Sequence, residues 1–186
     1  MYSLILILTE CSSHRKGQKM AIRNIRIMGD EVLTKRCKEV TIMTPRIKTL
    51  IDDMVDTMNE ANGVGLAACQ VGVLKRIVVI DTTGDDLYVL INPEIVETSG
   101  EQEGYEGCLS VPDRSGFVKR PNYVKVKALD EDLKPFELEG EGLLARAILH
   151  ECEHLDGHLY VEHVEGGVNG LVSNDQLREA EDGSDS

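Results

Sequence analysis

Leu143 to Gly157 reads LLARAILHECEHLDG, and the His150-Glu151-Cys152-Glu153-His154 run inside it constrains the fold and chemistry more than any other stretch. A helix turns about 100° per residue, so side chains four apart return to one face, and His150 and His154 can hold one metal ion. Glu151 then lies beside that ion, where a carboxylate can take a proton from metal-bound water. Cys152 falls about 200° around the helix from His150 and is expected to face the core. Two histidines do not complete a catalytic metal site, so the rest of the chain has to supply a third ligand and a place for substrate.

The chain has 186 residues, which suits one domain with a substantial core. Its net charge of -13 excludes a general nucleic-acid binder, because neutralising phosphates takes clustered Lys and Arg. Five scattered cysteines (Cys11, Cys37, Cys69, Cys108 and Cys152) form no CxxC pair, which argues against a disulfide framework and for the reducing cytoplasm. The apolar Tyr2–Leu8 run is far too short to cross a bilayer and lacks the basic lead and cleavage site of a secretory signal, so no membrane partner is expected. Met20 opens MAIRNIRIMGDEVL like a domain start. Residues 1–19 are therefore read as a non-native or disordered extension, 20–166 as a single catalytic domain, and 167–186, ending EAEDGSDS, as an acidic disordered tail.

Thr44 and Pro45 read as the N-cap and first residue of a helix. Ile47, Leu50, Ile51, Met54, Val55 and Met58 form its buried stripe, and Asn62-Gly63 should end it, with glycine in the left-handed conformation. Gly63-Val64-Gly65-Leu66-Ala67-Ala68-Cys69-Gln70 reads in two ways. It is either a close-packed loop whose glycines only make a turn, or a loop whose glycines let a ligand approach the backbone while Gln70 offers an amide donor. The missing GK[ST] ending excludes a phosphate loop. Residues 76–81, 87–91, 95–97, 123–129 and 136–139 then read as short strands. Strands in hairpins with one helix before and one after make an α+β fold, mostly antiparallel sheet packed around a central HExxH helix with an N-terminal amphipathic helix.

Between those strands, Cys108 stands in Gly104-Tyr105-Glu106-Gly107-Cys108-Leu109-Ser110-Val111-Pro112, flanked by glycine and polar residues. A thiolate added to two imidazoles leaves one coordination position open, which is the arrangement of a catalytic site. GVGLAACQ, EGCLS and HECEH, in this order and spacing, resemble the three motifs of peptide deformylases, with continuous similarity from about Met20 to Val164. The resemblance implies metal ligation by Cys108, His150 and His154, natively of Fe(II), with zinc, nickel or cobalt able to occupy the site. It implies Glu151 as the acid/base and Gln70 with the Leu109 backbone N–H as donors to the developing oxyanion. Val64, Gly65 and Gly107 would hold the peptide backbone as an added strand. The implied reaction removes the formyl group from N-formylmethionyl nascent peptides and releases formate, and the implied partners include a transient contact with the ribosome. Cys69 departs from the threonine or proline more usual in the family, and is read as packing. The acidic tail gives no support for docking by a basic C-terminal helix.

Two other readings stay open from the sequence alone. In the metallopeptidase pattern HExxHxxGxxH, Gly157 matches, but Tyr160 holds the third-ligand position, and His158 and His163 read as surface residues. A catalytically silent metal or redox-sensing module could also use the Cys108 thiolate.

Overall fold

The computed structural model describes residues 21–182, so the expected 1–19 extension lies outside the described residues. Helix α1 spans Pro45–Glu60, and the Thr44 hydroxyl accepts the Ile47 N–H at 3.3 Å as its N-cap. Its stripe of Leu50, Ile51, Met54 and Met58 is buried. The helix stops one residue earlier than expected: Asn62, at φ 52°, takes the left-handed conformation, and Gly63 does not. Asparagine tolerates that region better than any branched residue, so glycine is not needed for the stop.

Strands β1 (Gly65–Ala67), β2 (Ile77–Ile80) and β3 (Tyr88–Ser99) form one sheet with β6 (Tyr123–Leu129) and β7 (Pro135–Glu141), in the order β1-β2-β3-β6-β7. All pairings are antiparallel. The two runs expected at 87–91 and 95–97 belong to the single strand β3, whose register shifts between Ile91 and Glu94. Asn92 sits in that bulge at φ 51°, and its side-chain amide exchanges hydrogen bonds of 2.8 and 2.9 Å with the Val40 backbone.

Helix α2 (Gly142–Asp156) carries the HExxH run and lies on one face of this sheet, while α1 lies on the other. The alternation along β2 follows from that layering. Val78 and Ile80 pack with Ala145, Ile148, Cys152 and Leu155 of α2, whereas Ile77 and Val79 pack with Leu50, Ile51, Met54 and Met58 of α1. Both faces are covered, so the strand reads as an unbroken apolar run rather than an alternating one. Gly157, at φ 89°, ends α2 in the left-handed conformation. The fold is α+β and mostly antiparallel, as the pattern of elements implies.

The second sheet departs from expectation. β4 (Gln102–Cys108) and β5 (Val111–Arg120) form a hairpin between 97 and 123, where no strand was expected. The segment from 167 is not a disordered tail as far as Asp182. It makes a 3-10 turn at Gly167–Gly170, strand β8 (Val172–Ser173) and helix α3 (Asn174–Asp182). β8 pairs Val172 and Ser173 with Ser115 and Arg114 of β5, and the Ser115 hydroxyl donates to Asn174 Oδ1 at 2.8 Å. An open strand edge presents unpaired backbone groups, and β8 satisfies them while Leu171 is buried with Val161 and Val164.

Ile148 faces the sheet from the turn of α2 before the first histidine and is fully buried. Ile148→Ala is expected to cost about 2–5 kcal/mol of unfolding free energy, with the metal-binding stoichiometry kept. Urea unfolding checks the first and metal analysis the second.

Candidate metal centre

The spacing of four along α2 puts His150 and His154 on one face, with Nε2 atoms 3.2 Å apart and rings edge-on at 80°. Cys108 reaches the same point from the end of β4, its Sγ 3.3 Å from His154 Nε2. All three donor atoms lie within 4.8 Å of one another, and among the described residues they form the one such cluster of three. Bonds of about 2.0–2.3 Å around a tetrahedral ion put neighbouring donors roughly 3.3–3.6 Å apart, so the set fits a single divalent ion. Burial, then the proximity of His150, hold the His154 imidazole well below its usual pKa, which keeps a lone pair available for a metal.

Glu106 stands behind His150, and sequence reasoning gave it no role. Its Oε1 is 2.5 Å from His150 Nδ1, which leaves Nε2 facing Cys108 and His154. Arg120 donates to both Glu106 oxygens at 3.1 and 2.8 Å, and Arg146 donates to Oε2 at 3.0 Å. Burial works to raise the Glu106 pKa, but hydrogen bonds and charge from His150 and Arg120 outweigh it and hold the carboxyl well below the usual range. The clue in the sequence was Arg146, an arginine inside the apolar run LLARAILH that needs a buried partner. Tyr160, at the third-ligand position of the metallopeptidase pattern, instead stacks on His150 with centroids 5.8 Å apart. His158 and His163 are solvent-facing and pair with Glu162 and Glu153 at 2.9 Å, so neither joins the cluster. Cys152 is buried with Ile148 and Leu155, away from it.

Glu151 is buried, and desolvation pushes its carboxyl up to about 7 against the opposing charge of His150. Gln70, in the 3-10 turn Ala68–Val71 after β1, is fixed by its own loop: Oε1 accepts the Ala67 N–H at 2.8 Å. That leaves Nε2 toward Ser110 Oγ (3.1 Å) and Cys108 Sγ (3.5 Å). Leu109 occupies the turn joining β4 to β5 beside it. Val64 and Gly65 run into β1, and Gly107 precedes Cys108 in β4. The Val64 carbonyl is taken by the Asp81 N–H at 3.0 Å. β1 and β4 are each the outer strand of their sheet among the described residues, so both have an edge able to accept an extended peptide. Cys108, His150, His154 and Gln70 are thus brought together, with Gly65 against the neighbouring Glu151, whereas Cys152, His158 and His163 lie apart.

The polypeptide deformylase family model matches residues 22–169. The chain belongs to that family. A peptide deformylase of Lachnoclostridium phytofermentans is 63% identical over 162 residues, 86% of this chain and 99% of its own. One from Agathobacter rectalis is 63% identical over 156 residues, covering 84% and 98%. The crystal structure of the Legionella pneumophila enzyme aligns with a TM-score of 0.76 at 50% identity, over 78% of this chain and 87% of its own. That of the Synechococcus elongatus enzyme, solved with actinonin, gives 0.75 at 41% identity, over 79% and 84%. Peptide deformylases are metal-dependent hydrolases that remove N-formyl groups from formylated nascent peptides, and this protein has that activity.

Replacing the Glu106 carboxylate by an amide removes the charge behind His150 while keeping its shape. Glu106→Gln is expected to lower zinc or cobalt affinity about 10- to 100-fold. Competition against a chelator of known affinity reads this directly; wild-type affinity would remove Glu106 from the metal site.

Proposed function

We propose that the protein removes the N-formyl group from the formylmethionine that begins nascent polypeptides, with Fe(II) as its native ion held by Cys108, His150 and His154. The observation that carries this assignment is the convergence of one thiol and two imidazoles beside an amide donor, Gln70, and a buried carboxylate, Glu151. A thiolate with two imidazoles suits Fe(II), and the same set accepts zinc, nickel or cobalt. The bound ion supplies Lewis acidity that makes water a nucleophile at neutral pH.

The chain's own groups do the rest. An extended peptide lies along the open edges of β1 and β4, held by the backbones of Val64, Gly65 and Gly107. The Val64 carbonyl already accepts the Asp81 N–H at 3.0 Å, and its N–H is the group offered to the ligand. Gln70 Nε2–H and the Leu109 N–H donate to the formyl oxygen as negative charge builds there. Glu151 takes a proton from the attacking water and delivers it to the leaving amine, which separates formate from a free N-terminus. The buried carboxyl, neutral or ionised near physiological pH, suits both halves of that transfer.

Neither metallopeptidase nor silent sensor accounts for this set as well. A peptidase reading leaves Cys108 and Gln70 without roles, and the residue at its third-ligand position is the stacked Tyr160. The proposed setting is the cytoplasm, with transient contact at most with the ribosome and no direct nucleic-acid binding, which the net charge of -13 supports. α3, with Asp175, Arg178 and Glu179 on its length, is no basic docking helix. No helix among the described residues is long and apolar enough to cross a membrane.

Deformylation of formyl-Met-Ala-Ser by anaerobically purified protein, abolished by chelation and restored by Fe(II), tests the reaction and the ion together. Gln70→Leu is expected to lower kcat by about 10²–10³ with metal content unchanged. Glu151→Gln keeps the metal and loses turnover, whereas Cys108→Ala loses the metal. Full activity in Gln70→Leu or Glu151→Gln would refute the corresponding role.

A further inference from the structure

Gly65 opens β1 opposite α2, and its φ lies outside the left-handed region, so its backbone would accept any side chain. What excludes one is Glu151. A Cβ at Gly65 would stand 2.5 Å from Glu151 Oε1 and 2.9 Å from both its Cδ and Cγ. Cγ lies on the Cγ–Cδ axis and does not move when the terminal carboxylate turns about it, so that turn cannot relieve the overlap. The arm is buried, and Oε2 accepts no hydrogen bond from any described residue. Packing against Gly65 is therefore what limits the carboxylate on that side.

We propose that Gly65 is a positioning residue for Glu151: the missing side chain lets the carboxylate arm lie flat on β1, beside Cys108, His150 and His154. This rests on the reading of Glu151 as the proton carrier. It also gives the strand a second role, because the residue whose backbone meets the peptide is the one whose bare Cα seats the base. Gly63 is the natural contrast. A Cβ there would stand 2.8 Å from Leu109 Cδ1, the free end of a flexible side chain that can swing aside.

Gly65→Ala, with zinc or cobalt bound, is expected to keep full metal content and the wild-type Co(II)–thiolate absorption. Its kcat on formyl-Met-Ala-Ser falls about 100-fold while KM stays near wild type. Gly63→Ala keeps kcat near wild type. A stability cycle supplies a readout independent of turnover: Gly65→Ala lowers Tm in the wild-type background, and that loss disappears in Glu151→Ala, where the arm is gone. If Gly65→Ala does not fold alone, recovery of folding in the Glu151→Ala background is the supporting result. The proposal is overturned by wild-type kcat in Gly65→Ala, by a rise confined to KM, by an equal kcat loss in Gly63→Ala, or by an equal Tm loss or failure to fold in both backgrounds. Failure of the proton-carrier reading would show separately, as activity retained in Glu151→Gln.

Discussion

The Glu106 carboxylate is the point on which the site depends. Its side chain is 2% exposed, and an isolated charge there would cost several kcal/mol to desolvate. Arg120 from the end of β5, with Arg146 and His150 from α2, surrounds it with donors, so the charge is buried only where these elements meet correctly. Arg120 also donates to Glu153 at 2.5 Å, which ties the hairpin to the next turn of α2. Because Glu106 is two residues before Cys108 on the same strand, the interaction that docks β4 also delivers the third donor.

Legibility from sequence tracks how local each feature is. His150 and His154 follow from helix spacing alone, and α1 from its cap and apolar stripe. Cys108 required a pairing decided by the fold, and the resemblance supplied what spacing could not. The β4–β5 hairpin was missed because its pattern is broken by Gly104, Gly107 and Gly116 and by charged residues such as Glu106 and Arg120 that read as solvent-facing yet are buried. The acidic composition after Gly166 gave no hint of β8 either, since its order comes from the edge of β5 rather than from its own residues. Glu106 illustrates the same limit: a lone carboxylate in a polar stretch declares itself only through Arg146, 40 residues away.

The GVGLAACQ loop shows how two plain readings of glycine can both be incomplete. Neither Gly63 nor Gly65 takes a left-handed turn; what each admits is a neighbouring side chain, Leu109 or Glu151. Gln70, at the end of the same loop, is oriented by a bond to its own Ala67 N–H, so its donor direction is decided before any substrate arrives. Preorganisation of this kind lets a donor stabilise developing charge without reorganising at the moment of reaction.

The two histidines are held by different means, and the difference explains Cys69. His150 is fixed through its ring, by Glu106 on Nδ1, whereas His154 Nδ1 has no hydrogen-bond partner among the described residues. His154 is held instead through its backbone. Its carbonyl, one of the last four of α2 and so without a helical partner, accepts the Cys69 thiol at 3.2 Å and the Gly157 N–H at 3.2 Å. The thiol that sequence reading treated as packing therefore does more than fill space. It joins the loop carrying Gln70 to the helix end carrying His154, and its contact with Cys37 and its burial raise its pKa. A protonated thiol can donate to a carbonyl where a thiolate could not, so the same burial that makes Cys69 inert keeps that junction closed.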